Sequence, residues 1–207
     1  MLVRFYKSAS GRASFVTDAL PQVAFVGRSN AGKSSALNAI CGAKAIARVS
    51  KTPGRTQLVN YFQLGKEEAP TGYLVDLPGY GYAKASKSAQ ATWQKTVNDY
   101  FDPNPQLKAV VMIMDIRHPL TPFDETMLEW AGDNGWRVHI LLTKADKMSR
   151  GAANNVLFAV QKQLPAFATA QVFSSPEKRG VDEAWKILNN ELGITNDKIA
   201  PLTAPQL

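Results

Sequence analysis

The feature that most constrains this chain is a glycine-rich loop between an apolar segment and a helix. Residues 23–26 are all apolar, GRSNAGKS follows at 27–34, and apolar residues then recur at helical spacing over 33–41. The loop matches G-x-x-x-x-G-K-[ST] in the strand-loop-helix setting that this pattern requires. Main-chain N–H groups of such a loop, with the helix N-terminus, bind phosphate groups. The pattern predicts an α/β domain with a phosphorylated ligand.

The chemistry of the loop assigns a role to its side chains. Lys33 is expected to reach the β- and γ-phosphates, and the hydroxyl of Ser34 to bind Mg²⁺. The whole loop is predicted to bind nucleotide: Gly27, Arg28, Ser29, Asn30, Ala31, Gly32, Lys33 and Ser34.

Strand and helix patterns alternate along the rest of the chain. Apolar runs at 110–114 and 138–142 indicate buried parallel strands, and helical spacing recurs at 87–101, 122–131, 152–164 and 181–192. Segments 58–64 and 73–77 also read as strands, but the connection at 65–72 is too short for a crossover helix, which predicts an antiparallel hairpin at a sheet edge. We therefore predict an α/β fold: a six-stranded, mostly parallel sheet with one antiparallel edge strand and helices on both faces.

Length and composition set the wider limits. The 207 residues fit one domain, predicted over 1–194, with a loosely ordered tail at 195–207. One cysteine excludes an internal disulfide, and no apolar run approaches about 18 residues, which predicts a soluble chain without a membrane span. The net charge of +7 favours a polyanionic partner, which could be RNA, DNA or a membrane. The basic segment 1–16 resembles an organellar transit peptide, or is a leader that belongs to the fold.

A second ligand segment follows the strand at 73–75. The sequence Asp76, Leu77, Pro78, Gly79 places a carboxylate at the carboxyl end of a strand, where open α/β sheets bind ligands. Asp76 can hold Mg²⁺ through water, and the N–H of Gly79 can contact a γ-phosphate. These features indicate a nucleoside triphosphatase that uses Mg²⁺.

A third segment indicates the base. Thr143, Lys144, Ala145 and Asp146 follow a strand and resemble N-K-x-D, in which the carboxylate accepts the N1–H and N2–H₂ groups that guanine has and adenine lacks. Lys144 would lay its aliphatic stem along the base. Thr143 stands where the motif has Asn, which leaves open the contact that the longer amide makes. A main-chain N–H of the segment Phe173, Ser174, Ser175 is expected to bond the guanine O6.

The chain resembles the EngB (YihA, YsxC) family of bacterial ribosome-biogenesis GTP-binding proteins, within the Era-like translation-factor class. The resemblance covers nearly the whole chain and is carried by GRSNAGKSS at 27–35, KTPGRTQLVNYF at 51–62, DLPGYGYA at 76–83 and TKAD at 143–146. It implies a Ras-like P-loop GTPase domain of the bacterial cytosol, monomeric and partly ribosome-associated. The implied partner is the large ribosomal subunit precursor, with its rRNA and ribosomal proteins, and the family is linked to cell division and septation.

The same resemblance assigns the switch segment. It makes Thr56 the residue that binds Mg²⁺ together with Ser34 and Asp76, with Thr52 as the rival by chemistry alone. The residues implied to line the nucleotide there are Gly54, Arg55, Thr56, Gln57 and Leu58.

The catalytic position is unusual. Ras-like enzymes commonly carry a water-orienting Gln after D-x-x-G, but this chain has Tyr80, which predicts slow intrinsic GTP hydrolysis. Tyr80 could be exposed for a partner or packed on the turn. Asn30 stands where potassium-activated relatives carry an Asn, so K⁺ is a candidate cofactor and the candidate catalytic set is Lys33, Asn30 and Thr56. The rival interpretations are a nucleotide-regulated scaffold at the division site, with hydrolysis incidental, and a P-loop kinase, for which no acceptor pocket or Arg-bearing lid is seen.

Overall fold

The computed structural model describes residues 2–42, 46, 58–80 and 87–194, without the side chains of 87–90. Within these ranges the chain forms seven strands and five helices. The strands are β1 (Val3–Ala9), β2 (Gln22–Gly27), β3 (Val59–Lys66), β4 (Ala69–Asp76), β5 (Leu107–Asp115), β6 (Arg137–Thr143) and β7 (Ala168–Val172). The helices are α1 (Lys33–Ile40), α2 (Lys87–Phe101), α3 (Pro122–Asp133), α4 (Arg150–Gln161) and α5 (Val181–Glu191).

The strands form one sheet in the order β1-β3-β4-β2-β5-β6-β7. Strands β4, β2, β5, β6 and β7 are mutually parallel, whereas β3 is antiparallel to β4 and β1 is antiparallel to β3. The predicted fold class is confirmed, but the count of six strands is wrong. The seventh strand is β1, which comes from the basic leader.

The predicted hairpin is present but does not end the sheet. β3 and β4 pair from Asn60↔Asp76 to Lys66↔Ala69 across a tight turn. The expectation that this hairpin lies at the sheet edge is wrong, because β1 pairs with the outer side of β3. After β1, Phe15 and Val16 pack against the core. The leader is therefore part of the fold.

The sheet separates two hydrophobic cores, because the central strands are apolar on both faces. On one face, α1 and α5 bury residues such as Leu37 and Leu188. On the other face, α2, α3 and α4 bury residues such as Tyr100, Leu128 and Val160. Helices thus cover both faces, as predicted. None of the helices in the described ranges is long and apolar enough to cross a membrane.

Helix ends follow local sequence signals. Thr121 precedes α3, with Pro122 in the first turn, and the Thr121 N–H donates to the Asp124 carboxylate. Ser149 caps α4 by accepting from the Ala152 N–H. The five predicted helices are confirmed, with ends that differ by up to three residues. The predicted tail at 195–207 lies outside the described residues. The carboxyl ends of β2, β4, β5, β6 and β7 meet at one edge of the sheet, and the loops that follow them form the candidate site.

Candidate nucleotide-binding site

The phosphate loop joins β2 to α1 through backbone that favours glycine and asparagine. Gly32 has φ 100° and Asn30 has φ 65°, both in the left-handed region. A Cβ on Gly27 would lie 2.8 Å from the carbonyl oxygen of Ile113, so no side chain fits there. The loop therefore folds over the end of β2 as its motif predicts, with the N-terminus of α1 beneath it.

The phosphate-loop lysine and the proposed Mg²⁺ carboxylate lie side by side. The ammonium group of Lys33 contacts the carboxylate of Asp76, and the two side chains are 12% and 10% exposed. Asp76 ends β4, which pairs with β2 at Phe25, and Ser34 follows Lys33 in α1. Among the described residues, no group of three or more His, Cys, Asp or Glu could hold a metal alone. One carboxylate and hydroxyl groups suit a Mg²⁺ ion whose remaining ligands are phosphate and water oxygens.

The turn after β4 is held on several sides. The Leu77 N–H donates to the Phe25 carbonyl at 3.1 Å, and the Trp93 indole N–H donates to the Pro78 carbonyl at 2.8 Å. A Cβ on Gly79 would lie 3.5 Å from the main-chain nitrogen of Ser29, so Gly79 packs directly against the phosphate loop. The side chain of Leu77 is buried in the core, so only its main chain can face a ligand.

Tyr80 packs inward, which decides between the two sequence interpretations. Its side chain is 2% exposed, and its hydroxyl donates to Asp124. Burial, together with the Asp124 carboxylate, raises the pKa of Tyr80 far above its usual range, so the hydroxyl stays a neutral donor. The Tyr80 side chain is therefore packed on the turn rather than exposed for a partner.

The segment 143–146, which we call the base-recognition loop, is joined to the phosphate loop by two side chains. The buried hydroxyl of Thr143 contacts the Ala31 carbonyl and lies 3.0 Å from the Met114 carbonyl. The Lys144 ammonium donates to the Asn30 carbonyl at 2.6 Å. Thr143 thus joins the loop after β6 to the phosphate loop.

The Asp146 carboxylate is held by a hydrogen bond from the segment Phe173, Ser174, Ser175. The Ser174 hydroxyl donates to the Asp146 carboxylate at 3.0 Å, and Lys147 lies 3.1 Å from the other oxygen. Burial raises the pKa of Asp146, but the hydrogen bonds from Lys147 and Ser174 outweigh it and hold the pKa below its usual value. The carboxylate is therefore an ionised acceptor at neutral pH, as recognition of two guanine N–H groups requires.

Several predicted site residues have side chains that lie in the cores, so only their main chain can face a ligand. The Phe173 side chain is fully buried, and its carbonyl accepts the Ala145 N–H at 3.2 Å. The side chains of Ala31 and Ala145 are also buried, while Ser175 is half-buried beside Ser174. These contacts bring both base segments together at the carboxyl ends of β6 and β7.

Sequence reasoning missed two carboxylates beside the loops. Asp115, which ends β5, lies 3.0 Å from the Lys144 ammonium and is paired with Arg117. Burial raises the pKa of Asp115, but the hydrogen bonds from Arg117 and Lys144 lower this pKa by more, so it lies well below its usual value and the group stays ionised. An acid directly after an apolar strand is the signal that identified Asp76, and it was present here too. Asp124 carried no comparable signal, because its partner Tyr80 is distant in sequence.

Part of the predicted site is not described. Gly54, Arg55, Thr56 and Gln57, with the rival Thr52, lie outside the described residues, so their assignments stay predictions. Leu58 is half-buried directly before β3.

Comparison with known proteins agrees with this geometry. Residues 22–144 match a family model described as 50S ribosome-binding GTPase. The chain is 45% identical over 203 residues to a probable GTP-binding protein EngB of Methylobacillus flagellatus, covering 97% of this chain and 96% of that protein. It is 47% identical over 189 residues to the Coxiella burnetii EngB, covering 90% of each.

Solved structures share the fold. A crystal structure of a probable GTP-binding protein engB superposes with a TM-score of 0.64 at 17% identity, covering 84% of this chain and all of that one. Era, solved with MgGDPNP and a fragment of 16S ribosomal RNA, superposes with a TM-score of 0.66 at 20% identity, covering 91% of this chain and 60% of Era. The extent of the sequence identity shows that the chain belongs to the EngB family of GTP-binding proteins, and it is a GTPase.

Proposed function

We propose that this GTPase acts as a switch in assembly of the large ribosomal subunit, and that its link to cell division and septation follows from that role. The observation that carries the proposal is the match of residues 22–144 to the 50S ribosome-binding GTPase family. The net charge of +7 supports a partner rich in phosphate, such as the rRNA of a large-subunit precursor. The proposal includes a cytosolic monomer with one GTPase domain over 1–194.

Sucrose-gradient sedimentation tests the ribosomal role. Purified protein is mixed with large-subunit precursors and either GDP or a non-hydrolysable GTP analogue, and Lys33→Ala, which removes the phosphate-loop ammonium, is the matched control. We expect the analogue form alone to comigrate with the particles. If it never does, the ribosomal role is wrong, and a nucleotide-regulated scaffold at the division site becomes the better interpretation.

The proposed metal ligands are Ser34, Thr56 and Asp76. What supports them is the position of the buried Asp76 carboxylate beside Lys33, with Ser34 next in α1. Bound Mg²⁺ would neutralise charge on the β- and γ-phosphates. Thr56→Ala should spare GDP binding while removing the protease protection that distinguishes the GTP form from the GDP form. Protection that differs between GTP and GDP as strongly in the mutant as in wild type would contradict the assignment of Thr56.

The proposed hydrolysis is an in-line attack. A water oxygen bonds to the γ-phosphorus while the bond to the β–γ bridging oxygen breaks, and GDP leaves with the bridging electrons. The proton lost by the water passes to a phosphate oxygen, so the products are GDP and inorganic phosphate. Lys33 stabilises the charge that develops between the β- and γ-phosphates, and the Gly79 N–H faces the γ-phosphate. No described side chain replaces the missing Gln, since Tyr80 is turned inward, so we expect slow intrinsic turnover.

We further propose that K⁺ accelerates the reaction through Asn30. Support comes from the place of Asn30 at the exposed tip of the phosphate loop, where its carbonyl is already held by Lys144. Its amide oxygen could join phosphate and carbonyl oxygens around a monovalent cation, which would act on developing charge as an arginine finger does.

Rates in K⁺ and Na⁺ at matched ionic strength test the cation. Because Asn30 has φ 65°, Asn30→Ala would add backbone strain, so Asn30→Gly is the cleaner removal of the amide. We expect K⁺ to stimulate wild type and not Asn30→Gly, with GDP affinity nearly intact in both. Equal rates in the two salts, or stimulation that survives the substitution, would exclude Asn30.

A further inference from the structure

Tyr80 follows Gly79, and its side chain is buried against α2 and α3. The ring lies 6.2 Å from the Trp93 ring and 6.2 Å from the Phe123 ring, measured between centroids. The hydroxyl donates to one carboxylate oxygen of Asp124. These contacts place the side chain between α2 and α3.

The main chain of Tyr80 is bonded to the phosphate loop. Its N–H donates to the Gly27 carbonyl at 3.2 Å, and its carbonyl accepts the Ser29 N–H at 2.7 Å. The two bonds continue the parallel pairing of β2 with β4 past the strand ends, as a bridge between Arg28 and Tyr80. Gly79 is thereby pressed against Ser29, and its peptide is fixed by the residue that follows it.

The other end of the contact is also rigid. Asp124 is 2% exposed and lies in the first turn of α3. Its second carboxylate oxygen accepts the Thr121 N–H at 2.9 Å and the Thr121 hydroxyl at 2.8 Å. The carboxylate is held by the helix cap, so the Tyr80 hydroxyl meets a fixed acceptor rather than a mobile side chain.

We propose that Tyr80 is a positioning residue for GTP hydrolysis. Anchored to Asp124, it holds the Gly79 N–H against the phosphate loop in the orientation that stabilises the γ-phosphate as the bond to the β–γ bridging oxygen breaks. The inference rests on the proposed contact between Gly79 and the γ-phosphate. It predicts that the Tyr80 hydroxyl matters for the transition state and little for GDP, which has no γ-phosphate.

Tyr80→Phe removes the hydroxyl and keeps the ring. A matched control is Tyr100→Phe, because Tyr100 is also 2% exposed and its hydroxyl donates to the Gln22 side chain at 3.0 Å, in the core under α2. Single-turnover hydrolysis, GDP affinity and affinity for GDP with aluminium fluoride are measured for both, with melting temperatures. We expect Tyr80→Phe to lose about tenfold in rate and in affinity for the fluoride complex, with GDP affinity within about twofold of wild type. Tyr100→Phe should lose stability without a loss of rate.

Two Asp124 variants complete the test. In Asp124→Asn the amide oxygen can still accept from Thr121, while the amide N–H donates to the Tyr80 hydroxyl. Because a bond of reversed direction then joins the two residues, this variant should keep most of the wild-type rate. Combining Asp124→Asn with Tyr80→Phe removes that bond and should give the rate of Tyr80→Phe alone. If Tyr80→Phe does not fold, Asp124→Leu breaks the same link from the other side, and the same tenfold loss is expected.

The outcomes separate cleanly. A wild-type rate in Tyr80→Phe, or equal losses in GDP and fluoride-complex affinity, would overturn the positioning role. An equal rate loss in Tyr100→Phe would show a general effect of stability and would overturn it too. If wild type hydrolyses GTP but fails to comigrate with ribosomal particles, the ribosomal proposal alone is lost.

Discussion

Thr143 gives the sharpest test of how the site is held together, because its hydroxyl joins two loops that we propose to bind different parts of the nucleotide. The side chain is 2% exposed and its Oγ1 faces the carbonyl oxygens of Ala31 and Met114. A hydroxyl has one proton, so it donates to the nearer acceptor, Ala31, and lies at 3.0 Å from the other. Ala31 precedes Gly32 and Lys33, and Thr143 directly precedes Lys144, Ala145 and Asp146, so this bond links the proposed phosphate and base sites.

Thr143→Val keeps the shape and removes the donor. A buried carbonyl left without its donor costs about 1–3 kcal/mol. In a domain of this size that corresponds to a fall in melting temperature of about 2–12 °C. A methyl group also needs more room than a hydrogen-bonded oxygen, so the loop should move away from β6 by a few tenths of an ångström. We expect GDP and the GTP analogue to lose affinity alike, by up to about tenfold for each 1.4 kcal/mol that falls on the bound state.

Melting curves without nucleotide and calorimetric titrations with GDP and a GTP analogue measure the two effects. Thr143→Ser is the matched control: it keeps the hydroxyl and loses one methyl group, which costs about 0.8 kcal/mol. Its nucleotide affinity should lie closer to wild type than that of Thr143→Val. A valine variant with wild-type melting temperature and GDP affinity within twofold of wild type would refute the reasoning.

Three further predictions concern Asp146, Gly79 and His139. Asp146→Asn should weaken GTP binding and shift preference towards xanthine nucleotides in competition assays, and equal affinity of wild type for ATP and GTP would contradict the guanine assignment. Gly79→Ala should weaken the GTP analogue more than GDP in titrations, because the new Cβ would stand 3.3 Å from the Gly27 carbonyl oxygen; equal losses for both ligands would count against it. Burial lowers the pKa of His139, so the unfolded chain takes up a proton that the folded protein excludes, and stability should fall as the pH drops below about 6.5. Urea titrations at pH 7.5 and 5.5 should show His139→Gln losing less stability than wild type over this interval.

The fold could be predicted largely from local patterns, except at its edge. The helices carry clear signals, such as Thr121 and Pro122 before the apolar face of α3. β1 was missed because a bulge between Phe5 and Lys7 interrupts the period-two alternation that reveals a strand. Its basic residues also imitate a targeting segment. Pairing of this segment with β3 depends on residues about 55 positions away, which a local pattern does not contain.

The site could be predicted where one motif contains all its parts, and not where partners come from distant segments. The phosphate loop is continuous in sequence, so its strand, glycines and helix are visible together. The Tyr80–Asp124 bond joins residues 44 positions apart, and the Thr143–Ala31 bond spans 112 positions. Asp146 was identified from its motif, but its support by Ser174 required the fold.

The two departures from the motifs of this GTPase class have the same physical consequence. At Thr143 and at Tyr80, the position of an amide side chain is taken by a residue whose hydroxyl bonds the protein interior. The Thr143 hydroxyl bonds the main chain of the phosphate loop, and the Tyr80 hydroxyl holds the residue after Gly79. We therefore propose that phosphate recognition relies on backbone N–H groups whose positions are set by the sheet and helices. Such groups need no side-chain ordering when GTP binds, which favours tight recognition. Tyr80 in place of Gln removes the side chain that would orient water, so we infer that nucleotide recognition and turnover depend on different groups. We therefore expect the chemical step to stay slow until a cation or a partner supplies what Tyr80, turned inward, does not.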